Sequence, residues 1–488
     1  MIVTRFAPSP TGFLHIGGVR SALYPYLWAK KNKGKFILRY EDTDRKRLVE
    51  AGYEMILKGL QTFGIEPDEI MKQSDRLDIY KEYAERLIAG GHAYYCFATA
   101  EEIDVLRKAA EADKVPFRFR SPYRDLPIAE AQKRIASGEK YTIRLKLPAN
   151  RVIEFTDVVQ GKMTFNTNDT DEGVLLKSDG YPTYHLAYIV DDFLTDVTDV
   201  FRGVEWLPSI PKHVLIYEAL GITMPRMHHL PLILDPEGGK LSKRKGAVAV
   251  HDFINQGYLP EALLNFVALL GWTPEVERIF GEKERELFTM SEMLELFDPQ
   301  DINKSSPVFN REKLVWFNQK YFQIFTVDEI QNRFVNWLKS TGYDDPVLVN
   351  GIVERGPDYL NKILEIERTR VKLLSEIPDS IRFYYVHKGG FDFKSVKQTK
   401  DFDENKISDM FSEFNKEIEK KAENLRDWSH EEWEAYVRGL AEKMKLKAGA
   451  VFMALRLGVS DAPFSPPLYE IMQILGRKEV VARLSSYV

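Results

Sequence analysis

Two stretches of this chain carry the residue types needed to hold a phosphate. The first is FAPSPTGFLHIGGVR at 6–20, in which His15 stands just before Gly17 and Gly18. Free backbone N–H groups at a helix start attract anions, and glycine lets a ligand approach the main chain closely. His15 is placed to donate to whatever anion docks there. The second is GGKLSKRKG at 238–246, where Lys240, Ser242 and Lys243 follow a Gly-Gly pair. The first is not a P-loop: no Gly-Lys-Ser/Thr ends a glycine loop, and there is no GxGxxG. Taken singly, each has a plainer reading, a strand-to-helix turn with an incidental histidine and a solvated basic loop.

The elements that must position these residues follow from the patterning. Residues 1–95 alternate strand and helix: a strand over 2–6, a helix over 18–31 closed by Gly34, and a strand over 35–40. Helices follow over about 47–63 and 75–89. Such alternation predicts an α/β, doubly wound parallel-sheet (Rossmann-like) nucleotide fold with ligands at the carboxyl ends of its strands. Pro25 inside the first helix predicts a bend or early turn. From His92 to about Gly180 the pattern becomes an α+β insertion, with antiparallel strands in YTIRLKLP and RVIEFTDVVQGKMTF. The fold resumes with a helix over 182–193, a strand over 197–202, a helix over 208–220 and a strand over 230–234. The remainder reads as all-α C-terminal domains. Amphipathic helices are expected over 327–340, 358–376, 407–424, 431–445 and 447–457, and a linker over 382–395.

Together, HIGG at 15–18 and KLSKR at 240–244 resemble the two ATP motifs of class I aminoacyl-tRNA synthetases. The context PSPTGFLHIGG, YEDTD at 40–44 and RGVEWLPSIPKH at 202–213 resemble the glutamyl-tRNA synthetase family, bacterial type. The likeness covers nearly the whole chain. It implies six segments: 1–93 and 182–247 as halves of the catalytic fold, 94–181 as an acceptor-end insertion, and 248–322 as a helical stem-contact domain. Residues 323–381 and 382–488 are then two anticodon-binding helical subdomains.

The implied reaction is attack of a carboxylate on the α-phosphate of ATP with loss of pyrophosphate, for which a protein mainly positions and neutralises charge. By this resemblance His15, Lys240 and Lys243 are catalytic. Gly17, Gly18, Glu205, Trp206, Ile233 and Ser242 complete the ATP site, although plain core packing explains Trp206 as well. Free glutamate carries one ammonium and two carboxylates, so its pocket needs cations and an anion. Arg5 and Arg202 end two predicted strands and Glu41 ends another. Guanidinium forks suit carboxylates, and the acid suits the ammonium. The resemblance adds Ala7, Ser9, Tyr184 and Tyr188 to that pocket. The competing reading pairs Arg202 with Asp191 or Asp192. Two departures stand out: Tyr188 where the family commonly has asparagine, and Val204 where it has an acid. Arg368 and Arg370 are the candidates for anticodon contact, and Lys443, Lys445, Lys447 and Arg456 could meet phosphates.

Composition bounds the partners. Across 488 residues the net charge is −5, so tRNA must be met by local basic patches. The single cysteine, Cys96, rules out a disulfide framework and the cysteine cluster that binds zinc in some relatives; magnesium is expected only with ATP. No long apolar run and no signal peptide are evident, which predicts a cytoplasmic protein without a membrane span. A monomer is expected. A glutamylating relative that does not read the anticodon would lack the helical C-terminus. A nucleotidyltransferase without tRNA would lack the insertion, and an inactive scaffold should have lost His15 or the loop lysines.

Overall fold

The computed structural model describes residues 1–241, 249–421, 425 and 428–488, without the side chains of Arg278 and Lys421. Ser242 and Lys243 lie outside the described residues. The chain divides into two units, Met1–Phe253 with Pro260–Arg311, and Ile254–Leu259 with Glu312–Val488.

In the first unit the N-terminal elements are Val3–Phe6 (β1), Ile16–Lys31 (α1), Lys35–Tyr40 (β2), Gly52–Gln61 (α2), Glu69–Lys72 (β3) and Leu77–Ala89 (α3). The insertion adds Ala93–Cys96 (β4), Ala100–Ala112 (α4), Ile128–Ala136 (α5), Thr142–Leu145 (β5), Val152–Asp157 (β6), Gly161–Asn166 (β7) and Val174–Leu176 (β8). Tyr184–Leu194 (α6), Asp199–Gly203 (β9), Ile210–Leu220 (α7) and Arg226–Leu230 (β10) resume the first pattern. The main sheet has the order β10-β9-β1-β2-β3, with every pairing parallel. The chain therefore leaves β1 toward β2 on one side and later returns to it through β9 on the other. This topological switch point opens a crevice at the carboxyl ends of β1 and β9. The insertion forms separate antiparallel sheets, β4-β5-β8 and the β6–β7 hairpin. Its Ile143, Leu145 and Leu176 share one apolar core with Tyr80 and Leu87 of α3, Leu186 and Ile189 of α6, and Ile216 of α7.

Several boundaries differ from the sequence reading, each for a local reason. Helix α1 begins at Ile16 rather than Gly18, because His15 is its N-cap. It runs as one element through Pro25, whose carbonyl accepts from the Thr4 hydroxyl at 2.8 Å and so ties the helix to β1. Helix α2 starts at Gly52, not near Arg47. The Val49 N–H is committed to the Pro10 carbonyl, and a Cβ at residue 52 would lie 2.8 Å from that same oxygen. The last strand occupies Arg226–Leu230 instead of 230–234, since Pro231 has no N–H to give a ladder. Strand β3 and helix α5 were not anticipated.

The second unit is helical. Val327–Thr341 opens on a capping box from Thr326 and Glu329. Pro346–Arg355, Pro357–Glu367, Ile377–Tyr385, Glu404–Lys421, His430–Lys443, Ala448–Ser460 and Leu468–Ser485 follow. The helix expected over 358–376 stops at Glu367; further along, the N–H of Leu374 goes to the Gly257 carbonyl and not to a helical partner. Among the described residues, no helix is long and apolar enough to cross a membrane.

Candidate active site

The crevice gathers side chains from the carboxyl ends of four parallel strands. Arg5 comes from β1, Glu41 follows β2, Arg202 lies near the end of β9, and His229 near the end of β10. Arg5 is not left facing a ligand on its own: its Nε lies 3.2 Å from Asp192 Oδ1 on α6. Asp192 is shared with Arg39, a fully buried arginine of β2 that also reaches Glu41 at 3.2 Å. Neighbouring Asp191 takes Arg76 at 2.9 Å and Arg39 at 3.8 Å, with Gln73 and Tyr80 donating to it as well. Three arginines thus face three carboxylates, and that cluster is internally balanced.

Arg202 is different. It is 6% exposed, and all its partners are neutral. Its Nε donates to His229 Nε2 at 2.9 Å, Nη1 to the Tyr184 hydroxyl at 3.0 Å, and Nη2 to His213 Nδ1 at 3.2 Å. Burial, together with the Arg202 charge, holds both histidines below their usual pKa, so they accept as neutral rings. No described carboxylate stands within ion-pair range of Arg202, so Asp191 and Asp192 are not its partners. Each terminal guanidinium nitrogen carries a second N–H, so a fork remains for an incoming carboxylate.

Aromatic rings wall this cation. Tyr184 stacks on Tyr188 at 4.7 Å and packs on half-buried Trp206 at 4.1 Å, while the guanidinium lies 5.3 Å from the Tyr188 ring centre. The Tyr188 hydroxyl is buried with no hydrogen-bond partner, as is that of Tyr217 on α7. Ala7 is half-buried and Ser9 exposed on the β1–α1 connection, whose Pro8 carbonyl accepts from the Glu41 N–H at 2.9 Å. Burial raises the Glu41 carboxyl to about 7, against the opposing pull of Arg39 and Arg5.

The His15 turn and the start of the Lys240 loop lie in the same unit. His15 Nδ1 accepts from the Gly18 N–H at 3.1 Å, which places the ring proton of the neutral form on Nε2. Gly17 is helical; a Cβ there would approach His15 Cε1 to 3.1 Å, so its lack of a side chain leaves room for the cap. Downstream, Gly238 and Gly239 take φ values of +93° and +80°, closing a tight turn that brings Lys240 beside Leu234. Lys240 Nζ lies 3.0 Å from Glu205 Oε1, an exposed pair. Leu241 donates to the carbonyl of buried Ile233, and Ala249 forms a bridge with His15. Leu241 and Ala249, on either side of residues 242–248, are therefore each held by backbone partners, the second beside the histidine.

In the helical unit, Arg368 donates to the Phe325 carbonyl at 3.1 Å and pairs with Glu365, whereas Arg370 lines a cavity of about 870 Å³ with Asn361, Lys362, Thr369 and Glu470. Lys443 pairs with Glu413 at 2.5 Å, and Arg456 donates to the Ser465 and Pro466 carbonyls. Cys96 is buried 3.2 Å from the Ser121 hydroxyl. Sequence reasoning missed Arg39, Asp157, His213 and His229. The usable signals were an arginine flanked by Leu38 and Tyr40 in an apolar strand, and adjacent histidines between Met227 and Leu230.

A parallel nucleotide fold with paired phosphate motifs and a long helical tail defines a synthetase of the class I type. The family model "tRNA synthetases class I (E and Q), catalytic domain" matches residues 1–316, and "Anticodon binding domain" matches 326–488. The chain belongs to the class I tRNA synthetases of the glutamate and glutamine group. It is 39% identical to the glutamate–tRNA ligase of Finegoldia magna over 99% of this chain and 98% of that protein. It is 38% identical to that of Alkaliphilus metalliredigens over 98% of this chain and 97% of that protein. A crystal structure of a glutamate tRNA ligase from Elizabethkingia meningosepticum, in complex with its amino acid, superposes with a TM-score of 0.87 at 35% identity, covering 100% of this chain and 99% of the other.

Proposed function

We propose that this chain is a glutamate–tRNA ligase, which activates L-glutamate with ATP as glutamyl-adenylate and transfers it to the 3′ end of tRNA(Glu). The observation that carries the amino-acid assignment is the buried Arg202 cation, held by neutral partners with N–H groups to spare. Such a site favours a side-chain carboxylate over the neutral amide of glutamine.

In the first step the α-carboxylate oxygen of glutamate bonds to the α-phosphorus, and the bond to the bridging oxygen of pyrophosphate breaks. His15 Nε2–H, the α1 N-terminus with Gly17 and Gly18, and Lys240, Ser242 and Lys243 neutralise the charge that develops on the phosphates. Lys240 exchanges Glu205 for phosphate as ATP arrives. Trp206, Ile233 and Glu205 surround the nucleoside. Arg202 with Tyr184 takes the side-chain carboxylate, Arg5 supports the pocket, Glu41 meets the ammonium, Ala7 and Ser9 form the floor, and the unpartnered Tyr188 hydroxyl replaces the usual amide. In the second step the 3′-terminal ribose hydroxyl attacks the adenylate carbonyl and AMP departs.

Among the described residues, no group of three or more His, Cys, Asp or Glu could hold a metal ion. Magnesium would accompany ATP on its phosphates, and no step here runs through it. The insertion holds the acceptor end, and the helical unit, with Arg368 and Arg370, meets the anticodon. The enzyme works as a cytoplasmic monomer without zinc. The test is charging of purified tRNA species with glutamate and with glutamine: glutamate on tRNA(Glu) is the expected product, and absence of that product refutes the assignment.

A further inference from the structure

Arg202 and His229 are in-register partners on β9 and β10, so their side chains leave the sheet on the same face. For His229 Nε2 to accept from the Arg202 Nε–H at 2.9 Å, the ring proton must sit on Nδ1. There it meets Asp157 Oδ2 at 2.6 Å. Asp157 is itself fixed: its Oδ1 accepts the backbone N–H groups of Val159 at 2.9 Å and Gln160 at 2.8 Å, at the turn of the β6–β7 hairpin. His229 and Asp157 are both sealed from water. The result is a directed chain in which a hairpin turn fixes a carboxylate, the carboxylate fixes a tautomer, and the ring fixes a guanidinium.

We propose that His229 is a positioning residue for amino-acid recognition, with Asp157 selecting the tautomer that holds Arg202 without neutralising it. This rests on the glutamate reading above. A carboxylate in place of the ring would cancel the charge that selects glutamate, and an apolar side chain would leave a buried donor unmet. The neutral acceptor does neither. His213 completes the arrangement from the other side, accepting at Nδ1 while its Nε2 faces His185 Nδ1 at 3.0 Å.

The experiment compares steady-state tRNA charging by wild type, His229→Leu, His229→Gln and Asp157→Asn in the full chain. His229→Leu is expected to raise the KM for glutamate by ~10-fold or more, the loss of one hydrogen bond to a charged group, with the KM for ATP changed by less than about twofold. The ratio of kcat/KM for glutamate over glutamine should fall with it. His229→Gln, whose amide oxygen can accept from Nε, should recover most of the loss. Asp157→Asn, which frees the ring to place its proton on Nε2, should raise the glutamate KM in the same selective way. An unchanged glutamate KM in His229→Leu, equal rises for glutamate and ATP, or no recovery with glutamine at 229 would overturn the proposal. If His229→Leu does not fold, a folded Asp157→Asn protein with wild-type glutamate KM overturns it equally. A wild type that charges no tRNA with glutamate refutes the function itself. A wild type that does, beside an unaltered His229→Leu, refutes only this inference.

Discussion

Arg5 and Asp192 close a buried ion pair across the switch point, Nε to Oδ1 at 3.2 Å, with neither side chain open to water. The arginine on β1 is thereby a member of the balanced cluster, and the arginine on β9 stands outside it. That difference separates two residues which look alike in sequence.

For Arg5, removal leaves a buried carboxylate with Arg39 alone. Arg5→Gln should destabilise the fold by about 3–5 kcal/mol, as breaking a buried pair does. Thermal denaturation should show the loss, and activation of glutamate and of glutamine should decline together. A selective loss of glutamate activation would instead make Arg5 the reader of the side chain.

Arg202→Gln should act in the opposite manner. With Asp191 and Asp192 already occupied by Arg39, Arg76 and Arg5, no protein carboxylate is stranded by the change. Glutamate kcat/KM should drop by ~10²-fold or more while glutamine activation falls little or rises, because the site loses its charge-assisted partner. An unchanged ratio would assign selectivity to the shape of the pocket.

His15 has two separable contributions. His15→Ala should remove the helix cap, costing about 1 kcal/mol of stability, and slow adenylate formation by ~10²-fold or more in single turnover. His15→Asn keeps a capping oxygen but not an Nε2 proton, so it should restore stability and leave the rate low. Recovery of both would reduce the histidine to a cap. Lys243→Ala should likewise slow the chemical step by ~10²-fold or more, with substrate binding weakened far less.

Burial raises Glu41 to about 7, above the ordinary carboxylate value. The folded protein therefore holds this proton more tightly than the unfolded chain, and Glu41 lowers stability as pH rises from about 4.5 to about 7. Ammonium binding requires the ionised form, so the KM for glutamate should fall as pH rises through that window and then level off. Glu41→Gln should flatten this profile. A wild-type profile that persists in Glu41→Gln would place the titrating group elsewhere.

Elemental analysis should find no stoichiometric zinc, and activity should survive chelation when magnesium is in excess. One zinc per chain would mean that histidine and carboxylate ligands replace the thiolates found in some relatives.

The alternation of strand and helix, the antiparallel insertion and the strand-to-helix turn at His15 were legible because each is written locally, as apolar period, glycine and capping chemistry. Strand β3, EIMK, escaped notice because it lies at a sheet edge with none of its residues fully buried, so its pattern is not that of a buried parallel strand. Strand β10 was displaced by its histidines: a sequence window marks them polar, whereas His228 and His229 are buried through Asp199 and Asp157, partners that lie far away along the chain. The charge balance was illegible for the same reason. Nothing near residue 5 or residue 202 says which of them Asp192 will meet.

The position of β1 has a consequence for biogenesis. Its β2 partner is complete by Tyr40, but the Val3 N–H waits for the Thr198 hydroxyl, 195 residues further on. At ribosomal rates of about 5–20 residues per second, that edge of the nascent sheet stays unpaired for roughly 10–40 s. The insertion must be made and accommodated within that interval. Substitutions in β9 that delay its docking should therefore reduce the yield of soluble protein during synthesis, even where the finished molecule tolerates them.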